Sequence, residues 1–316
     1  ILMALNSKFL TWGMNLLLEN KKLRSAFAFH STMLIPCSMA VQPMARRFKK
    51  RHMGQAIGDD INLYLPKLKS ITSVMNRLTS IHQVLCNSEA LRRTLITQLP
   101  DLRKQSFVLY RGVDTDLFSP MERATKQSGT FKVLYLGGMQ TFRPSEYDTL
   151  NTKGGHLVME AWERIDDMSI DCALTFGGPG SGGKEIVKWK SSLNRSELVS
   201  AIGLVNPKDV PDLLRNHDLV IIPSLFEGLP NLSNEAMASG VTVLGANTGG
   251  IPECITDGVT GLLFERANVQ DLLVKFLYLY ENPEVRKKLC LAAREKIINE
   301  LSWDRYAEMI KIKLAE

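Results

Sequence analysis

Among 316 residues only five are cysteine, and no two of them form a CxxC pair. Cys37, Cys86, Cys172, Cys254 and Cys290 exclude a disulfide framework and a zinc site by number and spacing. Cys86 and Cys172 lie in apolar runs, where a free thiol packs as a small hydrophobe, and the expectation is a reducing compartment. Aromatic residues make up 7% of the chain, and its basic half lacks the aromatic interleaving of nucleic-acid binders, so nucleic acid is not an expected partner. No stretch approaches the roughly 20 apolar residues of a membrane span. The longest weakly charged stretch, 26–45, is interrupted by His30, Pro36 and Pro43 and reads as a buried strand plus loop. The opening ILMAL is short and follows no basic segment, so it is not expected to be a signal peptide. With Ile1 in first place, the expectation is a chain that lacks its true start.

What is present is the composition of an ordinary globular protein, 45% hydrophobic and 23% charged, long enough for two domains. The net charge of +6 is unevenly spread: residues 1–120 carry 17 Lys/Arg against 7 Asp/Glu, while the remainder is net acidic. A basic first half suits an anionic partner such as a membrane surface or a phosphorylated substrate, or it is a solubilising surface. Its densest element, ARRFKKR (45–51), reads either as a helix on an anionic membrane or as a solvated loop.

Short apolar runs alternate with helical patterns. ILMAL (1–5), AFAF (26–29), QVLCN (83–87) and FVLY (107–110) read as strands of a first domain. FKVLYLG (131–137), CALTFGG (172–178), VSAIGLV (199–205), DLVIIP (218–223), VTVLG (241–245) and GLLFE (261–265) read as six strands of a second. Continuous apolar strands separated by amphipathic helices predict parallel sheets covered on both faces. The predicted organisation is a partial N-terminal Rossmann-like domain over 1–112, a polar linker over 113–130, a complete doubly wound domain over 131–300 and a terminal helix over 301–316. Four candidate strands in the first domain suggest that the opening of its sheet is absent.

Chemistry concentrates in LFEGLPNLSNEAMASG (225–240), which follows the strand DLVIIP. Ligands of open α/β sheets bind outside the carboxyl ends of the strands. Pro230 suits a first helical turn and Gly240 a helix end. Backbone N–H groups near Gly228, Leu229, Pro230 and Asn231 are then available to phosphate or sugar hydroxyls. Glu227 in the loop and Glu235 about a turn into the helix either complement the helix dipole or grip hydroxyls of one ligand. Two further patterns are decoys. GPGSGGKE (178–185) nearly spells a P-loop, but Glu185 stands where a magnesium-binding Ser/Thr belongs. Asp59 and Asp60 lack a third ligand and read as a turn or helix cap.

The stretch from Asp218 to Phe264 resembles the retaining glycosyltransferases of family 4, with the GT-B fold. It carries the E-x7-E element, the EAMASG helix, the TGGIPE loop and the DGVTGLLF turn in that family's order and spacing. RGVDTDLFSP (111–120) is similar to the interdomain segment NGVD-x-x-x-F-x-P, with Arg111 in place of asparagine. KGGHLVMEAW (153–162), VLCNSEALRRTL (84–95) and SWDRYAEMI (302–310) extend the likeness, while the family's opening strand and glycine-rich loop have no counterpart.

The resemblance implies two Rossmann-like domains facing a cleft. It implies metal-independent transfer of a sugar from a nucleotide donor, UDP- or GDP-linked, to a glycan or lipid-linked acceptor with retained configuration. There is no cofactor beyond this co-substrate. Glu227 would hold donor-sugar hydroxyls, Glu235 the ribose and Lys153 the diphosphate, with Val205 beside Leu204 near the base. His30 looks like the histidine that reaches the donor sugar from the N-terminal domain. The family's second donor cation is an arginine whose place is taken here by Gly138, and Arg143 in the following long loop is the candidate substitute. A cytoplasmic, peripherally membrane-bound enzyme of polysaccharide biosynthesis is the resulting expectation. The alternatives are a donor-binding protein without transfer activity and a sugar-nucleotide epimerase-type enzyme of the same fold.

Overall fold

The computed structural model describes residues 28–35, 37–58, 60–68, 76, 78–121, 129–138 and 152–315. The expected strand ILMAL, together with Arg143 and Asp59, lies outside them. The chain divides into two compact units, one ending at Tyr110 and rejoined from Tyr306 onward, the other spanning Arg111–Arg305.

In the first unit, four parallel strands pair in chain order: β1 (Ala28–Ser31), β2 (Arg51–Ala56), β3 (Gln83–Cys86) and β4 (Ser106–Val108). Helices α1 (Cys37–Arg47) and α2 (Glu89–Gln98) pack beside them. One apolar cluster gathers Leu34, Ile61, Leu78, Val84, Leu95 and Leu102, and a smaller one joins Phe29, Met44 and Ala45.

Three readings of this unit are corrected. The described residues of 26–45 form a strand and then a helix, not strand plus loop, because α1 buries Ser38, Gln42, Met44 and Ala45 and accommodates Pro43 within it. ARRFKKR is neither one helix nor one loop. Helix α1 stops at Arg47, Lys49 takes a left-handed φ of 52°, Lys50 N–H closes on Ala45 O at 2.8 Å, and Arg51 opens β2. Arg46 and Arg47 thus complement the helix carboxyl end, and Phe48 stacks on Phe29 with centroids 6.3 Å apart. Strand β2 itself escapes a hydrophobicity reading, since RHMGQA holds few apolar residues although five of its six are buried. Its polar side chains are paired instead: His52 Nε2 with Ser31 Oγ at 3.0 Å, and Gln55 Nε2 donating to Asn87 Oδ1 at 2.8 Å. Paired in parallel with β2, β1 continues two residues beyond the end of AFAF, so His30 lies within the strand and not at its end.

Asp60 fulfils the structural reading of its acidic pair. Its fully buried carboxylate accepts N–H bonds from Leu34, Ile57, Gly58 and Ile61. The loops after β1 and β2 are thereby tied together.

The second unit is one six-stranded parallel sheet, formed by β5 (Phe131–Leu136), β6 (Cys172–Gly177), β7 (Val199–Gly203), β8 (Leu219–Ile222), β9 (Thr242–Asn247) and β10 (Leu262–Glu265). The strand order is β10-β9-β8-β5-β6-β7, so the chain runs outward one way from β5 and then starts again on its other side at β8. That reversal creates a crevice between β5 and β8 at their carboxyl ends, the place where doubly wound sheets bind ligands. Strand β7 ends at Gly203, with φ of 69°, earlier than the run VSAIGLV suggests. Leu204 beyond it is 78% exposed.

The polar segment after Arg111 is bonded into this unit. Val113 N–H reaches Leu301 O at 2.8 Å, and Arg294, on helix α9 (Pro283–Glu300), donates to the carbonyls of Thr115, Phe118 and Ala238. Among the described residues no helix is long and apolar enough to cross a membrane.

The buried His52 generates a pH prediction. Burial, with the charges of His30 and His82, lowers its pKa from 6.5 to about 4. A histidine whose folded pKa is depressed contributes stability that is complete above its unfolded pKa and is lost as pH falls through the folded one. The first unit is expected to lose about 3 kcal/mol between pH 6.5 and about 4. Urea denaturation across that range, followed in the wild type and in His52→Gln, checks it: the variant's stability should fall less steeply.

Candidate functional site

Three loops meet at the carboxyl ends of β5, β8 and β9. The central one, Pro223–Pro230, leads from β8 into helix α6 (Asn231–Ala238). On one side stands Thr152–Gly154, which precedes helix α3 (Gly155–Asp167), and on the other Thr248–Gly250. Leu225 N–H donates to Thr152 O at 2.7 Å, and Gly250 N–H to Glu227 O at 3.3 Å. The glycines permit this closeness. Gly154 has φ of 68°, and a Cβ there would stand 1.9 Å from Pro223 O. Gly249 has φ of 54°, and a Cβ there would stand 1.9 Å from Glu227 O. Both positions need a left-handed backbone and an absent side chain at once.

The result is a fixed Glu227. Its Oε2 accepts from Lys153 Nζ at 2.6 Å and from Ser224 Oγ at 3.3 Å. The Glu227 side chain is 12% exposed and that of Lys153 46%. The carboxylate is thus nearly enclosed while the ammonium remains open to incoming groups. A short charge-assisted bond of this kind holds both side chains in one geometry.

Pro230 occupies the N-cap position of α6, one residue before the first turn expected for it. No side chain caps the helix start, and no acidic residue lies in its first turn. Ser233 turns its hydroxyl back to Pro230 O at 2.8 Å. Gly228, Leu229 and Pro230 are buried, whereas Asn231 is exposed. Gly240 ends the helix with φ of 70°, as its sequence position implies.

Glu235 is the fifth of eight residues in α6 and is partly buried. So deep in the helix, it gains little from the N-terminal end of the dipole, whose effect fades within the first turn. Glu227, bonded to Lys153 and Ser224, does not cap the helix either. The reading of both acids as dipole partners therefore loses its geometric basis. Burial raises the Glu235 pKa above the ordinary carboxylate value, and the Arg111 guanidinium opposes that rise. Arg111 itself lies over the Trp303 ring, 5.5 Å from its centroid. The sequence marked Arg111 only as a departure from asparagine, and its influence on Glu235 emerges from the fold.

The remaining candidates are more scattered. Val205 follows β7, three strand positions from β8 at the same end of the sheet. Arg143 lies outside the described residues. Gly138 is described, and among the described residues a Cβ there would meet nothing within 4 Å. Tyr135, a residue the sequence did not single out, directs its hydroxyl to Gly138 O at 3.3 Å and Lys153 O at 3.4 Å, drawing together the strand end and the lysine loop. The near-P-loop uses its own hydroxyl internally, Ser181 Oγ donating to Gly178 O at 2.8 Å. His30 belongs to the first unit, is exposed, and is surrounded by enough protein to lower its pKa.

Against known proteins, the model of the family "Glycosyl transferases group 1" matches residues 148–296, which hold Lys153, Glu227, Glu235 and the three loops around them. The match spans slightly less than half of the chain and makes its second unit similar to the glycosyl transferases group 1 family. Among curated relatives in this family's company, spore coat protein SA of Bacillus subtilis is 25% identical over 251 residues, which are 73% of this chain and 64% of that one. A D-inositol 3-phosphate glycosyltransferase of Mycobacterium sp. (strain KMS) is 28% identical over 174 residues, 52% of this chain and 37% of that one. The chain therefore spans less than two thirds of the length of either relative. The crystal structure of Anabaena Alr3699/HepE in complex with UDP superposes with a TM-score of 0.77 at 18% identity, covering 93% of this chain and 81% of that one. The fold is GT-B, with two Rossmann-like units.

Two stability predictions come from this geometry. Gly249→Ala is expected to destabilise the second unit by about 2–4 kcal/mol, combining left-handed strain with a backbone clash, read by thermal or denaturant unfolding. Glu235→Gln is expected to do the opposite. A carboxyl whose folded pKa is raised costs stability once pH exceeds that pKa, so the neutral amide raises the melting temperature near pH 8. The advantage disappears as pH falls below the unfolded glutamate value.

Proposed function

We propose that this protein transfers a sugar from a nucleotide-sugar donor to a glycan or lipid-linked acceptor, with retention of configuration and without a metal ion. The observation that carries the reading is the Lys153–Glu227 pair, 2.6 Å apart at the crevice between β5 and β8, with the partly buried Glu235 on the adjoining helix. Glu227 takes donor-sugar hydroxyls and Glu235 the ribose. Lys153 turns from Glu227 to the diphosphate, where negative charge grows as the glycosidic bond breaks. The backbone N–H groups from Gly228 to Asn231 (Pro230 excepted) and the uncapped start of α6 add positive potential. Val205 and Leu204 border the base, and His30 of the first unit contacts the donor sugar. The acceptor attacks from the face the nucleotide leaves, and a donor phosphate oxygen receives its proton. UDP or GDP is the proposed carrier, and the work is proposed to be cytoplasmic polysaccharide assembly at a membrane face.

Gly138 favours a second reading, donor binding without turnover, because the position lacks the arginine that the family resemblance leads one to expect. Calorimetric titration with UDP-, GDP-, ADP- and dTDP-sugars tests the donor site. One nucleotide class should bind, and Glu235→Ala or Lys153→Ala should weaken it at least about tenfold, the loss of one hydrogen bond to a charged group. A folded second unit that binds none of them would overturn the proposal. Release of nucleoside diphosphate that depends on acceptor separates transfer from mere binding. Gly138→Arg, for which the described residues leave space, should tighten donor binding if the missing cation limits it.

A further inference from the structure

A second site lies in the first unit, at the end of its sheet remote from the loops that Asp60 ties together. A cavity of about 280 Å³ is lined by Arg46, Lys49 and Lys50 from the end of α1, by Arg51 and His52 at the start of β2, and by His82 just before β3. None of the residues lining it is acidic. Among the described residues, Arg46, Lys49 and Lys50 form no ion pair. The described lining of the cavity therefore concentrates positive charge.

The walls are built rather than frayed. Gln42 Nε2 donates to Ser80 Oγ at 2.6 Å and joins α1 to the segment before β3. His82 N–H donates to His52 O at 3.1 Å, and His52 N–H approaches His82 Nδ1 at 3.4 Å. Once His82 accepts at Nδ1, its neutral ring carries hydrogen on Nε2 and offers a donor. His52 is 1% exposed, yet its Nδ1 has no hydrogen-bond partner. A buried ring nitrogen left without a partner is costly, and a ligand hydroxyl or water in the cavity would satisfy it in either tautomer.

Size narrows the ligand. The cavity lies at the lower edge of the roughly 300–1,000 Å³ of small-molecule pockets, which leaves room for a phosphate group and its waters. The position at the amino ends of β2 and β3 separates it from the carboxyl-end crevices that serve substrates in such sheets.

We propose that this cavity is a phosphate-binding site distinct from the donor site, taking a phosphate monoester carried either by a soluble compound or by a lipid headgroup. Arg46 and Lys50 supply the charge, Lys49 is held in place by its left-handed turn, and His82 contributes a donor from the wall.

The test uses the full chain and the histidine side-chain NMR signals, which report on the cavity itself. Inorganic phosphate, compared with chloride at equal ionic strength, should produce a saturable shift of the His52 and His82 resonances. In Arg46→Gln/Lys50→Gln the apparent affinity should fall at least about tenfold. A Lys49→Gln variant provides a second, surface-exposed substitution should the first disturb folding. Sedimentation with phosphatidylcholine vesicles, with and without phosphatidic acid, distinguishes the sources. Binding that needs both phosphatidic acid and the two basic residues assigns the lipid headgroup, and a response to phosphate alone assigns a soluble ligand. The response should survive in Glu235→Ala, which separates it from the donor site. No saturable shift beyond that of chloride together with no vesicle binding, or equal responses in wild type and variants, would overturn the proposal.

Discussion

The second unit depends on backbone-to-backbone contact at its crevice. The loop from Pro223 to Glu227 is pressed between Gly154 on one side and Gly249 on the other, so close that neither can carry a Cβ. This contact holds the Glu227 carboxylate at one distance from Lys153, although the two residues are 74 positions apart in sequence. A carboxylate and an ammonium held in one geometry by the backbone form a preorganised pair, the arrangement that electrostatic sites require.

Around that contact the sheet supplies rigidity and the helices supply polarity. β8 and β9 are almost wholly buried, and strand order alone opens the crevice between β5 and β8. α6 begins uncapped at the loop and ends at Gly240, against Pro120. Arg294 secures the same region from behind by gathering the carbonyls of Thr115, Phe118 and Ala238. A polar segment that composition marks as a linker is thereby partly incorporated into the wall of the second unit. The first unit is organised differently. Its central strand β2 is stabilised by paired polar side chains as much as by apolar packing, and the basic turn between α1 and β2 forms a cavity rather than a flat patch.

Much of the second unit was legible because its signals are local and mutually consistent. All six of its strands were located from apolar runs, and the helix beginning near Pro230 and ending at Gly240 from proline and glycine chemistry. Gly154 and Gly249 lie in elements that the family resemblance had already marked, but the reason for them, two carbonyls at 1.9 Å from any added Cβ, is a tertiary one. The first unit was less legible. RHMGQA lacks the apolar alternation of a strand, since its burial is satisfied by Ser31 and Asn87, distant in sequence. The basic stretch 45–51 was read as one element because charge patterning does not register a left-handed residue at Lys49.

Taken alone, the sequence determined the class of fold and marked the residues from which the candidate site is drawn. Apolar strand runs, the spacing of Glu227 and Glu235, and the glycines beside them are local features, and local propensity acts through neighbouring residues. Only the tertiary structure decided which charges meet. It paired Lys153 with Glu227, brought Arg111 to bear on Glu235, and enclosed a cavity with Arg46, Lys50 and His82. The physical reason is that electrostatic interaction depends on distance through space and on burial, and the crossover order of a parallel sheet sets both.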